Sequence, residues 1–338
     1  MTKMKQLSKP ALIKAAVSLA LIAAFLVAVQ FLNSYYQQIF IYILMFAYFA
    51  SAWNILSGFA GQFSLGHAIF IGIGAYTSTI LYTQFGVSPW IGMLAGGVLA
   101  AGVGVLIGLP CFKLKSTYFT LTTIALANIL LLLVQNTRSI GMLAINGARG
   151  IQIPAVTGND FGTMQFLDKK YYLYIILAML GVVLIVCQWI KSTKMGYQLA
   201  AVANNQDAAE SLCVNSRALK LKAMAISAFL CAMGGTFYAQ VILFCNPARL
   251  FSEALSDKLA IVAMLGGKGT VFGPTAGALI VETISQFASA KFANIQGLNL
   301  AIYGIMLIVC IRFFPDGILP IIQKFVRRVF KKKGEVEK

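Results

Sequence analysis

Long apolar runs, separated by short polar segments, make up almost the whole chain. Runs of about 20 apolar residues, the length that crosses a bilayer as a helix, recur throughout it. They predict ten spans, at residues 11–32, 39–57, 66–84, 90–109, 117–135, 171–190, 222–244, 254–266, 270–290 and 299–314. We therefore expect an all-α integral membrane protein, a polytopic bundle of about 8–10 transmembrane helices with glycine-rich broken segments.

Two of the predicted spans have an alternative interpretation. Residues 11–32 follow a basic N-terminus, as a signal peptide does, but their length and the lack of a small-residue cleavage pattern favour a spanning helix. The span 254–266 is short and runs into Gly266-Gly267-Lys268-Gly269. It is either a full crossing or a re-entrant segment.

Charge sets the expected orientation. The chain has 27 basic and 10 acidic residues, a net charge of +17 that in a soluble protein would suggest nucleic acid. In an apolar chain the placement of the charges matters more, and ten spans put both termini and most basic residues on the cytoplasmic side. We expect a cytoplasmic N-terminus at 1–10 and one transmembrane domain at 11–318. This domain includes an external segment at 136–170 and a cytoplasmic loop at 191–222, and a basic, lipid-anchoring tail follows at 319–338.

Glycines mark places where helices approach closely or break. The pairs Gly72/Gly74, Gly92/Gly96, Gly104/Gly108 and Gly273/Gly277 predict packing within one bundle, or else a pore seam or a contact with a second subunit. Two glycine-rich segments, at 56–74 and 265–277, interrupt apolar runs at the predicted inner face, and an internal repeat is one explanation. Their expected turns are Gly58, Gly61, Gly66, Gly266, Gly267, Gly269 and Gly273.

The residue types needed for catalysis are scarce. The phosphate-binding pattern G-x-x-x-x-G-K-[ST] is absent, because Lys268 is followed by Gly269. The six cysteines form no CxxC pair and there is one histidine, so we expect no catalytic, cofactor or metal site. The polar residues in or beside spans are candidates for a transport pathway or, alternatively, for helix capping and helix contacts; they are Asn54, Gln62, Ser64, His67, Glu282 and Gln286.

The segment Lys191–Lys222, KSTKMGYQLAAVANNQDAAESLCVNSRALKLK, is a polar island in a chain that is 59% hydrophobic. Its pattern predicts a short helix around 197–211, flanked by basic residues. It is either a solvated connector on the lipid surface or a cytoplasmic surface on which another protein acts.

The run GYQLAAVANNQDAAESLCVNSRALKLKAMAISAFLCAMGGTFYA resembles the coupling segment of ABC import permeases of the branched-chain amino acid (LIV) type. ASAWNILSGFAGQFSLGHAIFIGIGAY at 50–76 and LAIVAMLGGKGTVFGPTAGALIVE at 259–282 agree with that family in order and spacing. NGARGIQIP at 146–154 and FFPDGI at 313–318 are similar to the M-type membrane subunit. The resemblance covers roughly residues 40–320.

The resemblance implies a multi-pass permease of the bacterial inner membrane, with no active site, that carries leucine, isoleucine and valine. It implies an H-type permease partner, two cytoplasmic ATPases that bind ATP and Mg, and a periplasmic or cell-surface binding protein. The ATPase-coupling positions map to Asp207, Ala208, Ala209, Glu210 and Ser211. Two residues depart from the family. Cys213 stands where the family commonly has glycine, which would ease a left-handed helix end, and Arg149 stands where a neutral residue is more frequent.

Other functions stay open at this point. Permeases of the same superfamily also serve urea, short amides and nucleosides, and no pocket derived from the sequence separates these solutes. An ion-coupled secondary carrier would act without an ATPase, and the scarcity of acids within the spans argues against it. An integral-membrane enzyme would ordinarily need clustered His, Asp, Glu or Cys residues at one membrane face, and the sequence has no such cluster.

Overall fold

The computed structural model describes residues 33–291 apart from 115, 141–142 and 157, together with Gln30, Gly304, Ile305, Ile308, Arg312 and Gly317. Its α-helices are α1 (Ser34–Asn54), α2 (Ala68–Phe85), α3 (Pro89–Cys111), α4 (Ser116–Asn136), α5 (Lys169–Ser192), α6 (Lys194–Asn204), α7 (Gln206–Ser211), α8 (Ser216–Ile242), α9 (Pro247–Leu250), α10 (Glu253–Gly266) and α11 (Gly273–Lys291). A π-helix, Ile55–Phe59, extends α1, and Gly147–Arg149 form a 3-10 turn. Four two-residue strands are β1 (Ser139–Ile140), β2 (Leu143–Ala144), β3 (Ile151–Gln152) and β4 (Phe244–Cys245).

The predicted all-α membrane class is confirmed. Within the described residues, five helices are long and apolar enough to cross a bilayer: Ser34–Phe59, Pro89–Cys111, Thr117–Asn136, Lys169–Ser192 and Ser216–Ile242. Helices α2 and α11 occupy the predicted spans 66–84 and 270–290. The tail 319–338 lies outside the described residues, as do the predicted span 11–32 apart from Gln30 and the span 299–314 apart from Gly304, Ile305, Ile308 and Arg312.

Helix α10, the weakest predicted span, is too short for a full crossing. Its 14 residues rise about 21 Å, against about 30 Å for the hydrocarbon core. Near the middle of α10, the ammonium of Lys258 lies 3.7 Å from the ring centroid of Phe46, which is halfway along the Ser34–Phe59 span. The middle of α10 therefore lies beside the middle of the α1 span, and the turn that follows α10 lies beside Asn54.

Burial separates central helices from edge helices. Each spanning helix has an apolar stretch of 18 residues. In the α1 span 83% of this stretch is buried, whereas in α4 only 17% is buried. Helix α1 packs against α5, α8, α10 and α11, and α8 also packs against α2 and α3. A helix that is apolar on every side and surrounded by others forms the centre of a membrane bundle, so α1 and α8 organise the fold.

Helices α2, α3 and α8 meet at glycines. A Cβ on Gly74 of α2 would overlap the carbonyl oxygen of Ala232 of α8, and one on Gly96 of α3 would lie 3.0 Å from the Cα of Gly74. A Cβ on Gly104 would lie 3.1 Å from the Cβ of Ala228. These glycines therefore allow close contacts within the chain, which is the packing interpretation of their spacing.

The segment 136–170 is folded against the helix ends. Strand β1 pairs with β2, and β3 pairs antiparallel with β4, which directly follows α8. The Ser88 hydroxyl donates to the Gly162 carbonyl oxygen at 2.6 Å, and the Trp90 indole donates to that of Phe161 at 2.7 Å. These bonds join residues 136–170 to the ends of α3 and α8. We call this end of the bundle the cap end and the opposite end, which carries α6 and α7, the α7 end.

We predict that Gly74→Ala lowers the stability of the folded chain by about 1–3 kcal/mol, because the added methyl group overpacks the α2–α8 contact. The matched control is Gly102→Ala on α3, where nothing lies within 4 Å of the added Cβ. Thermal unfolding in mild detergent, followed by size-exclusion fluorescence, measures both. Equal melting temperatures for the two variants would show that the glycine contact is not required.

Candidate functional site

Both glycine-rich segments lie at the α7 end, where one side chain joins them. The Asn54 side-chain amide donates to the carbonyl oxygen of Thr270 at 2.8 Å and accepts from the backbone N–H of Gly269 at 2.8 Å. Gly58 lies close by, and a Cβ there would come within 2.7 Å of the Gly269 nitrogen. Asn54 thus satisfies backbone groups that have no helical partner, the condition for a broken helix at membrane depth.

His67 lies in a buried chain of hydrogen bonds beside this contact. Its Nδ1 is 3.0 Å from the Ser64 hydroxyl and its Nε2 is 2.9 Å from the Ser227 hydroxyl. Ser227 donates onward to the Ala52 carbonyl oxygen at 2.7 Å, so its oxygen is free to accept from an Nε2 proton. A neutral His67 with its proton on Nε2 therefore satisfies every group in the chain, and this arrangement ties the start of α2 to α1 and α8.

The polar island reaches both glycine-rich segments. A Cβ on Gly61 would lie 3.0 Å from the Cβ of Ala203 in α6. At the end of α5, the Lys191 ammonium is 3.5 Å from the Gly269 carbonyl oxygen. Gly317, from the terminal FFPDGI motif, is buried against Gly267. Four segments that are distant in sequence therefore meet at the α7 end.

The island contains two helices, so the prediction of one helix around 197–211 is wrong. The chain breaks at Asn205, which has an extended backbone, and its side-chain oxygen caps α7 by accepting from the Ala208 N–H at 3.1 Å. Leu199 and Val202 of α6 are buried. The two helices, which we call the α6–α7 platform, thus rest on the bundle through a small apolar face.

Helix α7 ends in a left-handed residue. Cys213 has φ of 60°, its N–H bonds the Glu210 carbonyl oxygen, and the Val214 N–H bonds that of Ala209. These two bonds form the Schellman motif, in which glycine is the usual left-handed residue. The expected helix end is therefore present in this chain, although it carries cysteine in place of glycine.

Side-chain hydrogen bonds join the platform to α8. The Glu210 carboxylate accepts from the Ser216 hydroxyl and, at 2.9 Å, from the Gln206 amide. The amide oxygen of Gln206 accepts from the ammonium of Lys220 at 2.7 Å, and Lys220 is 2% exposed. The bonds from Ser216 and Gln206, together with the charge of Lys220, lower the pKa of Glu210 from its ordinary value. Glu210 therefore stays ionised at neutral pH and fixes α7 relative to α8.

The predicted coupling residues divide into two groups. Asp207, Ala208, Glu210 and Ser211 are exposed, so another protein can reach them. Ala209 is 3% exposed and packs inward. It therefore helps to hold the platform in place and is not part of the surface that another protein can reach.

The other predicted residues do not form one cluster. Asn54, Ser64 and His67 make the contacts described above, and Gln62 is buried beside them, with its Oε1 unbonded among the described residues. Glu282 is buried on α11, where its Oε1 is 2.7 Å from the ammonium of Lys258, and Gln286 is half-buried one turn further along α11. Of the remaining predicted turns, Gly66 packs on the backbone of Thr123, Gly266 packs on Gly273, and Gly273 begins α11.

Sequence reasoning missed the residues that connect these elements. In the sequence, Lys220 does not differ from nearby basic residues such as the exposed Lys222, and nothing in the local pattern indicates that it is buried. Gln206 and Ser216 are ordinary polar residues of a loop. Their pairing depends on how α7 folds back onto α8, and helical periodicity alone does not reveal this.

Comparison with known proteins identifies a family that the chain matches. The profile of the family described as "Branched-chain amino acid transport system / permease component" matches residues 35–311. The chain is 29% identical over 286 residues to the high-affinity branched-chain amino acid transport system permease protein LivM of Escherichia coli, which covers 79% of this chain and 66% of that protein.

More distant relatives differ in the solute that they are named for. A probable branched-chain amino acid transport permease protein LivM of Methanocaldococcus jannaschii is 22% identical, over 68% of each chain. A nucleoside ABC transporter permease protein NupC of Lactococcus lactis is 23% identical over 71% of this chain and 77% of its own length. No solved structure matches the chain significantly.

We predict that Asn54→Ala opens the contact between the two glycine-rich segments. Two backbone groups lose their partners, at a cost of about 1–3 kcal/mol each. Hydrogen exchange of residues 267–272, followed by mass spectrometry, should become faster than in the unaltered chain.

The control for this prediction is Asn136→Ala, because the Asn136 amide donates at 2.8 Å to Leu132 within its own helix and is exposed. Exchange in 267–272 should not change in this variant. Equal exchange there in the Asn54 variant and the control would contradict the role of Asn54.

Proposed function

The chain belongs to the family of branched-chain amino acid transport permease components, and from this membership we propose that it is a membrane subunit of an ATP-driven importer. In this proposal it forms part of the path for leucine, isoleucine and valine and is not itself an enzyme. Separate ATPase subunits bind ATP and Mg and hydrolyse the nucleotide. The chain spans 66% of the length of the bacterial LivM proteins that it matches, so the proposal concerns the part that the two share.

The α6–α7 platform carries this proposal. It exposes Asp207, Ala208, Glu210 and Ser211 at one end of the bundle, and the bonds from Glu210 through Gln206 to Lys220 fix it to the central helix α8. A solvated connector on the lipid surface needs no such buried connection to a central helix. A push on the platform would instead move α8 with it, as a rigid element transmits a domain motion.

The proposed function implies an assembly in which the platform contacts an ATPase. Two ATPases would bind on the cytoplasmic side, one on this chain and one on a homologous H-type permease, and a binding protein would deliver the solute at the cap end. Both termini are cytoplasmic in this arrangement, and the membrane is the bacterial inner membrane. The placement of basic residues supports the orientation, because the α7 end carries Lys191, Lys194, Arg217 and Lys222.

Two alternatives remain for the solute and the energy source. The likeness to the NupC permease makes a nucleoside the second candidate solute. An ion-coupled carrier would move solute without any ATPase and would leave the platform without a function.

Affinity purification of the tagged chain from its native membrane, followed by reconstitution, tests the proposal. We expect a second permease and two ATPases to purify with it, and ATP-dependent uptake of leucine when the cognate binding protein is added. Uptake by the chain alone would overturn the proposal in favour of a secondary carrier. ATP-dependent uptake of a nucleoside but not of leucine would keep the importer and change its solute.

We predict that Lys220→Met uncouples the platform in this assembly. The variant removes the buried ammonium that holds Gln206 and, through it, Glu210. Leucine uptake should fall at least about tenfold, equivalent to about 1.4 kcal/mol, with the ATPases still attached.

The matched control is Lys222→Met, two residues along the same helix, where the side chain is exposed. This variant should transport like the unaltered complex. If both variants transport normally, the connection from Lys220 to the platform has no part in coupling.

A further inference from the structure

A cavity of about 600 Å³ lies between α1, α8, α9 and α10. This volume is within the usual range of small-molecule sites, about 300–1,000 Å³. Much of its wall is apolar and includes Phe46, Leu255, Ile261 and Met264. Three charged side chains also line it: Arg249, Asp257 and Lys258.

The cavity wall includes the middle of the α1 span. Lys258 contacts Phe46 at the middle of the α1 span, and the wall continues along α10 to Met264 and to Phe63 and Leu65 of the first glycine-rich segment. Solute sites of membrane transporters commonly lie near the bilayer midplane beside discontinuous helices. Helix α10 has 14 residues, passes Phe46 at Lys258 and ends at Gly266, so it is a discontinuous helix of this kind.

The charges in the wall are held in defined positions. The Lys258 ammonium is 2.7 Å from Oε1 of Glu282, which is fully buried, and lies 3.7 Å from the centroid of the Phe46 ring. Asp257 is the next residue on α10 and is half-buried in the same wall, and Arg249 is exposed at the end of α9. An apolar cavity thus presents a carboxylate and two cations together.

Charges inside a membrane bundle are expensive unless they bind something or one another. The Lys258–Glu282 pair is internally balanced, and Asp257 and Arg249 add one charge of each sign to the wall. A solute that carries both an ammonium and a carboxylate on a small apolar body matches this pattern. A neutral nucleoside would supply no ionic partner to either of these charges.

We propose that this cavity is a binding site for a zwitterionic amino acid with an apolar side chain. Asp257 binds the α-ammonium, Arg249 and Lys258 bind the α-carboxylate, and the apolar wall around Ile261 and Met264 receives the side chain. Glu282 and Phe46 act as positioning residues because they hold the Lys258 ammonium in the wall. The inference rests on the proposed function and names residues for its solute selectivity.

The test is uptake by the reconstituted complex that carries Asp257→Asn. The amide has nearly the same shape but no charge, so it loses the ion pair with the α-ammonium. We expect leucine uptake to fall at least about tenfold, which corresponds to about 1.4 kcal/mol. ATP hydrolysis by the intact complex without solute should not change, because Asp257 lies away from the α6–α7 platform.

The matched control is Glu253→Gln on the same helix. Glu253 is exposed one turn before Asp257 and is not part of the cavity wall, whereas its neighbours Ser252 and Ala254 are. Uptake by this variant should stay within about twofold of the unaltered complex, because surface charges contribute little. Asp257→Glu, which restores the carboxylate, should recover part of the lost uptake.

A second measurement uses the unaltered complex, so its result does not depend on whether a variant folds. A carbodiimide labels exposed carboxyl groups, and mass spectrometry compares the labelling of Asp257 with that of Glu253. An excess of leucine should protect Asp257 alone, and 4-methylpentanoate, which lacks the ammonium, should protect it much less.

The outcomes separate the two proposals. Normal uptake by Asp257→Asn, or labelling of Asp257 that leucine does not change, overturns the cavity site and leaves the importer in place. A complex that takes up no leucine in the unaltered form overturns the proposed solute and the cavity site together. Loss of uptake in Asp257→Asn alone, with protection of Asp257 by leucine, supports both.

Discussion

The fold depends on satisfying the backbone where two helices break inside an apolar bundle. Asn54 does this with one amide, which bonds Gly269 and Thr270 and joins the end of α1 to the turn between α10 and α11. Without such bonds, unpaired N–H and C=O groups at membrane depth would each be costly. The glycines around Asn54 then follow, because only the smallest residues let these two segments approach each other.

The α7 end combines this rigid contact with a surface that another protein can reach. The α6–α7 platform touches the first glycine-rich segment at Gly61, and Lys191 at the end of α5 reaches Gly269 of the second. Its connection to α8 runs through Glu210, Gln206 and the buried Lys220. In the proposed mechanism, a displacement of the platform would move α8, which lines the cavity together with α10.

Much of the architecture was predictable from the sequence, and the contacts that carry function were not. Apolar runs predicted where the described spans lie, although individual ends differ, as at 222–244 against Ser216–Ile242, because length and hydropathy are local properties. The sequence predicted a short span or a re-entrant segment at 254–266, but the contact between Lys258 and Phe46 depends on the tertiary fold. The break at Asn205, the burial of Lys220 and the pairing of Lys258 with Glu282 also depend on neighbours distant in sequence. A motif pointed to Ala209 and Glu210 together, and only the structure distinguishes the buried residue from the exposed one.

The central claim is that the platform is the surface on which an ATPase acts, and Cys213 allows a direct test. It is exposed at the end of α7, while Cys111, Cys187, Cys231 and Cys245 are buried. Cys213 in the assembled complex is labelled with a photoreactive maleimide and irradiated, and the adducts are mapped by mass spectrometry. The account predicts a cross-link from Cys213 to the ATPase, with a yield that changes when ATP is bound. Cross-links from Cys213 to lipid alone, in a complex that still contains the ATPase, would contradict it.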